Sequence, residues 1–206
     1  AEALAAGGVH DIFISNEVID PAKLRRVARL AARLAAAGGQ LALAVDSSEG
    51  IARLAAAMAE AGGGASIDVF VEINVGQNRC GVPPGAPAAA LAHAVAAHAP
   101  ALRFAGLQAY HGGAQHIVSS AARRAAIDAV VQAAEHTRDL IESQGLPVPL
   151  VTGARTGTLA HEASSGVFGE LQAGSFLFMD ADYAKNEPAP GQPVFEHALF
   201  IATQVV

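Results

Sequence analysis

Two glycine-rich turns, one arginine loop and one tyrosine hold most of the chemistry that this 206-residue chain can offer. The stretch Gly153-Ala154-Arg155-Thr156-Gly157-Thr158 follows a β-type run and should open a helix. Free backbone N–H groups at a helix N-terminus, with glycines allowing close approach, make a cradle for phosphate. Read alone, the same residues suit a glycine-rich turn with a threonine cap equally well. Gly174-Ser175, after Glu170-Leu171-Gln172-Ala173, is a second turn of this kind. Two such turns after consecutive strands match the way parallel barrels bind phosphate near their last strands. Arg79 lies in Gly76-Gln77-Asn78-Arg79-Cys80-Gly81, where a guanidinium can hold a phenolate or carboxylate, although an ordinary surface turn also accommodates an arginine. Tyr110 ends the run Gly106-Leu107-Gln108-Ala109-Tyr110, and an aromatic hydroxyl there can stack on a planar ligand and hydrogen-bond to it.

Other polar residues give weaker signals. His111 and His116 lack the i, i+4 spacing of helical zinc sites and have no acidic residue close by in sequence, so pocket-lining roles are favoured and no metal site is assigned. Cys80 has no activating His/Asn pattern and reads as a packed or mildly exposed thiol. Asp180 and Asp182 suit a carboxylate pair and a solvated loop equally. Thirteen basic against nineteen acidic residues, with no Lys/Arg cluster, exclude an electrostatic footprint for nucleic acid. A single cysteine rules out an intrachain disulfide and makes a reducing, cytoplasmic compartment the simplest expectation. No apolar run reaches the ~18–20 residues of a membrane span.

These residues need a scaffold, and the pattern supplies one. Apolar β-type runs occur at 12–14, 41–45, 67–73, 104–110, 148–151 and 176–179. Helix-length, alanine-rich stretches separate most of them. A helix over 21–37 is announced by Asp20 as N-cap, Pro21 in the first turn and Gly38 as stop; a second over 48–61 is opened by Ser47 and closed by Gly62. Further helices fit 86–98 and 119–144, the latter ended by Gly145 and Pro147. Regular strand–helix alternation means an α/β fold with a parallel sheet. Both a doubly wound sheet and a TIM-type (β/α)8 barrel accommodate it, and the absence of G-x-G-x-x-G after Ile14 or Val45 favours the barrel. A full barrel takes about 250 residues, so about six of the eight units are expected here, leaving two exposed sheet edges and a tendency to aggregate. Residues 1–8 read as the tail of a helix and 193–206 as strand-like, which divides the chain into a partial barrel over 1–190 and the first strand of a C-terminal β domain over 191–206. The polar segments 15–17, 46–47, 74–81, 110–116, 152–158 and 174–175 all follow strands, on the side where parallel α/β folds place their sites.

Several segments, in collinear order, resemble the D-threonine aldolase and D-3-hydroxyaspartate aldolase family, relatives of the D-serine dehydratases. They are Asp11-Ile12-Phe13-Ile14-Ser15-Asn16-Glu17-Val18, Asn78-Arg79-Cys80-Gly81-Val82 and Phe104-Ala105-Gly106-Leu107-Gln108-Ala109-Tyr110-His111-Gly112. Ala163-Ser164-Ser165-Gly166-Val167, Glu170-Leu171-Gln172-Ala173-Gly174-Ser175 and Phe178-Met179-Asp180-Ala181-Asp182-Tyr183 complete the set. The resemblance implies a pyridoxal 5′-phosphate lyase with an alanine-racemase-type barrel, cleaving D-β-hydroxy-α-amino acids to glycine and an aldehyde with help from a divalent metal of the Mn or Mg type. It further implies that Arg79 faces the pyridoxal 3-oxygen, that Tyr110 lines the ring pocket, and that Thr156, Gly157, Gly174 and Ser175 surround the phosphate. The partners are then a small-molecule D-amino-acid substrate and, as an open option, a second copy in a homodimer, with no nucleic acid and no membrane.

Two departures qualify the resemblance. Arg155 stands where the family's phosphate turn has a glycine. The lysine that anchors the cofactor belongs to an earlier strand, and the metal ligands to a later domain. Neither Lys23 nor Lys185 matches the lysine motif, so no catalytic residue is assigned and the isolated chain is expected to be inactive. D-serine dehydration and a non-catalytic cofactor- or phosphate-binding remnant remain the alternatives.

Overall fold

The computed structural model describes residues 1–189 and 191–204. Six strands, β1 (Asp11–Glu17), β2 (Gln40–Val45), β3 (Ile67–Glu72), β4 (Leu102–Ala109), β5 (Leu150–Gly153) and β6 (Glu170–Leu171), form one sheet. Their spatial order is 1-2-3-4-5-6, and every neighbouring pair is parallel. An unreversed order is that of a barrel wall, whereas a doubly wound sheet turns back at a switch point. The molecule is a half-barrel with helices outside, and β1 and β6 each have one partner among the described residues.

The helices are α1 (Glu2–Ala6), α2 (Pro21–Ala36), α3 (Ser48–Ala61), α4 (Ala86–Ala96), α5 (Ser120–Ser143) and α6 (Leu159–Ala163). The start signals act as their chemistry dictates. Asp20 accepts from the Lys23 amide at 2.9 Å, Ser47 from Gly50 at 3.2 Å and Ser119 from Ala122 at 3.4 Å. In α2 the buried Leu24, Val27, Ala28, Leu30, Ala31 and Leu34 recur at helical spacing and form its inner face. They pack with Leu41, Leu43, Val45, Val69, Val71 and Leu107 of the strands in a single core. The opposite side chains point into the concave side, where Phe13 and Phe70 meet at 4.8 Å between ring centroids.

The sixth strand differs from the expectation over 176–179. The ladder to β5 is made by Glu170 and Leu171, opposite Thr152 and Gly153, while Ser175–Leu177 forms a 3-10 turn. Once β6 has taken the β5 edge, the Thr156 hydroxyl captures the Phe176 amide at 3.1 Å and turns the chain away. Phe176, Leu177 and Phe178 are left exposed, so their apolar run is not a buried strand. The strand expected over 193–206 is likewise not formed over 193–204, and 205–206 lie outside the described residues. No described helix is long and apolar enough to cross a membrane.

Candidate functional site

The carboxyl ends of the strands surround an open cavity of about 800 Å³. Arg79, Tyr110, Arg155, Gly174 and Ser175 line it, together with Ser15, Asn16 and Gln172. The Arg79 guanidinium lies 5.8 Å from the Tyr110 ring centroid and that of Arg155 4.7 Å. Both distances are within cation–π range. Among the described residues neither guanidinium donates a hydrogen bond or forms an ion pair. The Tyr110 hydroxyl is buried without a hydrogen-bond partner among the described residues. Two cations and a phenol are thus gathered with their polar capacity unspent.

Two tight loops set this geometry. The Asn74 side chain accepts from the Gly76 and Asn78 amides, both at 3.1 Å, and Asn78 takes a positive φ of 53°, which coils the segment carrying Arg79. Gln77 ties that segment to the next by accepting from the Gly113 amide at 2.9 Å. After β5, Ala154 adopts a left-handed φ of 66°, rare for a residue with a Cβ, and the chain then carries Arg155 into the cavity.

The phosphate candidates divide. Gly174 and Ser175 border the cavity, and the Ser175 hydroxyl accepts from Tyr183 at 3.0 Å. Thr156 does not border it; it is buried and holds the Phe176 amide, joining the two turns. Gly157 is also a packing residue, since a Cβ there would sit 2.9 Å from the Gln115 carbonyl oxygen. The helix expected after this turn has only five residues, Leu159–Ala163, which leaves little macrodipole for an anion. Arg155 places a cation at the cavity beside this turn.

His111 and His116 belong to no group of three or more potential metal donors among the described residues. His116 Nδ1 lies 2.8 Å from Asp182, an acidic partner 66 residues away that local spacing could not reveal. Burial depresses the His111 pKa. Asp180 is a turn residue, accepting from the amides of Asp182 and Tyr183, and Asp182 also pairs with Lys185. Neither lysine borders the cavity. The one group of potential metal donors among the described residues is Glu17, Asp46 and Cys80, with ligand atoms within 4.8 Å of one another. Burial, and then the neighbouring Glu17 carboxyl, raises the Cys80 thiol pKa.

A polar chain running from the cavity lining at Glu170 and Gln172 to the buried Thr152, Gln108 and Glu72 is not visible in the sequence. Gln108 donates to Glu72 and, at 3.1 Å, to the Ser15 carbonyl; Gln172 donates to Thr152 at 3.0 Å; Thr152 donates to Glu170 at 2.6 Å. Burial, followed by repulsion from Glu17, pushes the Glu72 carboxyl up to about 7. Burial also pushes Glu162 up to about 7, with a Thr158 hydrogen bond opposing. The folded state therefore holds both protons more tightly than the unfolded chain, whose carboxyls titrate near 4.5. The stabilisation is complete below that value, is lost as pH rises through the window up to about 7, and changes no further above it. Glu162→Gln, which removes one of these titrations, is expected to raise the melting temperature at pH 8 by several degrees, on the order of 1–3 kcal/mol. Thermal melts at pH 5 and pH 8 should show a smaller pH difference in the variant. An unchanged difference would contradict the assignment.

The alanine racemase N-terminal domain model matches residues 1–182, and the chain belongs to that family. Within it, the whole chain is 41% identical to 3-hydroxy-D-aspartate aldolase from Paracoccus denitrificans (strain Pd 1222) and 42% identical to D-threonine aldolase from an Arthrobacter species. It covers 52% of each of these proteins. The crystal structure of D-threonine aldolase from Filomicrobium marinum superposes with a TM-score of 0.89 at 45% identity, over 96% of this chain and 51% of that one. The chain spans about half the length of the relatives it matches.

Proposed function

We propose that the cavity binds pyridoxal 5′-phosphate and that the whole protein is a D-threonine-type aldolase, cleaving D-β-hydroxy-α-amino acids to glycine and an aldehyde. The observation that supports this best is the pair of unpartnered guanidiniums, Arg79 and Arg155, flanking Tyr110 at the strand ends. A planar ligand with a phenolate at one side and a phosphate at the other matches that distribution of charge. Arg79 would hold the 3-oxygen, Tyr110 would face the ring, and Gly174, Ser175 and Arg155 would meet the phosphate. Thr156 and Gly157 would serve the phosphate indirectly, by fixing the two turns. The cofactor supplies the electron sink for breaking the bond next to the amino acid's α-carbon.

This chain's contribution is to bind, to orient and to accumulate positive charge. Removal of the β-hydroxyl proton requires a base or a metal-activated group, and no residue here is assigned to that step, to the covalent lysine or to the divalent metal. We also assign residues 1–190 to the barrel and 191–206 to the start of a following β-rich domain; the family match ends at residue 182. A cytoplasmic location and a homodimer are part of the same reading.

Calorimetric titration of the chain with pyridoxal phosphate and with pyridoxal tests the binding half. The phosphate ester is expected to bind at least about tenfold more tightly, from one charge-assisted contact. Equal binding, or none, would sink the cofactor reading. In the whole protein with added Mn or Mg, D-threonine or 3-hydroxy-D-aspartate should yield glycine. Pyruvate and ammonia from D-serine in its place would show a dehydratase.

A further inference from the structure

Glu162 is an unusual occupant of its position. It is 2% exposed, on a helix of five residues, with Oε2 buried and unpartnered. Its other oxygen accepts from the Thr158 hydroxyl at 2.9 Å. Thr158, 2% exposed, occupies the N-cap of α6, yet its side chain makes no capping hydrogen bond to that helix. Its oxygen instead accepts from the Arg155 amide at 3.3 Å. The three groups form a directed line: Arg155 N–H to Thr158 Oγ1, and Thr158 O–H to Glu162 Oε1.

We propose that Glu162 and Thr158 are positioning residues for the cavity: the carboxyl fixes the hydroxyl, and the hydroxyl fixes the Arg155 backbone so that its guanidinium stays over Tyr110. This rests on the reading of the cavity as a cofactor site. Three features support the assignment. Ala154 is held in a left-handed conformation that a residue with a Cβ does not favour, so the turn needs an external restraint. The Arg155 side chain has no hydrogen bond among the described residues, so its direction depends on its backbone and on the Tyr110 face. A buried carboxyl is costly to keep unless it specifies an arrangement, and among the described residues the only side chain it bonds is Thr158. Thr156 completes the brace from the other side by tying the Phe176 amide. The consequence is that ligand discrimination at the phosphate end is set by two residues that do not touch the ligand.

The test uses the 206-residue chain carried as a fusion to a soluble protein. Amide hydrogen exchange at Arg155 reports the brace without any ligand, and the ratio of pyridoxal phosphate to pyridoxal affinity reports its use. Thr158→Val is expected to speed Arg155 exchange about tenfold or more and to shrink the affinity ratio about five- to tenfold. Thr158→Ser and Glu162→Gln, which keep the hydroxyl and an acceptor oxygen, should stay within about twofold of the parent on both readouts. Glu162→Met, of similar size and without an acceptor, should behave like Thr158→Val, and it serves in its place if that variant misfolds. Unchanged Arg155 exchange in both Thr158→Val and Glu162→Met would overturn the proposal. So would faster exchange with an unchanged affinity ratio, which would leave the line a purely structural one. If the parent protein shows no preference for the phosphate ester, the cofactor reading falls, while exchange still decides whether the brace exists.

Discussion

Arg79→Met is expected to weaken pyridoxal phosphate binding by about 10- to 100-fold without lowering the melting temperature. The size follows from removing a hydrogen bond to a charged group, worth roughly 1.5–3 kcal/mol in a partly desolvated site. The fold should tolerate the change because the Arg79 side chain has no hydrogen bond or ion pair among the described residues and borders open space. Methionine retains much of the side-chain volume against Tyr110 and removes only the fork of donors. Arg79→Lys should restore charge but not the two-pronged geometry, and so recover part of the affinity. Arg155→Ala should act separately, reducing affinity for the phosphate ester while leaving pyridoxal nearly untouched. If both arginine variants bound both ligands like the parent, the two guanidiniums would have no part in ligand capture.

Gly106→Ala should do the opposite, leaving no site to measure because the sheet fails. A Cβ at residue 106 would lie 1.8 Å from the Leu150 carbonyl oxygen, a backbone atom with no room to move, and φ there is +141°. The register of β3 against β4 shifts between Val69 and Phe70, and Gly106 pairs with Phe70 on one side and Leu150 on the other. Glycine therefore allows a central strand to bulge and still keep both neighbours. We expect a loss above about 4 kcal/mol, the range reserved for severe backbone conflict. That corresponds to a fall of roughly 10 °C or more in melting temperature, or to insoluble protein. A soluble Gly106→Ala protein with parent-like melting would show that β4 and β5 can separate without harm.

How far the sequence revealed these features depended on whether each signal was local. Asp20 and Ser47 cap the helices they announce, because a cap and the amide it serves are three residues apart. The same locality exposed the loop of Arg79 and the foreign Arg155. The sixth strand was misplaced for the converse reason: β6 is two residues long, and its neighbours 176–178 are more apolar although they are exposed. The chain of Gln108, Glu72, Gln172 and Thr152 joins residues 20 to 64 positions apart, with no spacing rule to betray it. Glu162 carries no local signal in the sequence, and only its burial marks it. Thr156 and Gly157 lie in the expected turn, and their further ties, the Thr156 hydroxyl to the Phe176 amide and Gly157 packed on Gln115, join segments distant in sequence.

The strand order 1-2-3-4-5-6 has a further consequence for how the molecule comes into being. During synthesis each strand from β2 to β6 emerges directly after a neighbour it joins, so each can pair as soon as it appears. A doubly wound sheet lacks that property, since its first strand sits in the middle and gains one flank late. The half-barrel can therefore grow vectorially, one strand–helix unit at a time, with modest loop-closure cost at each addition. Its growing edge is always the most recent strand, so the surface most exposed to wrong pairing keeps moving along the nascent chain.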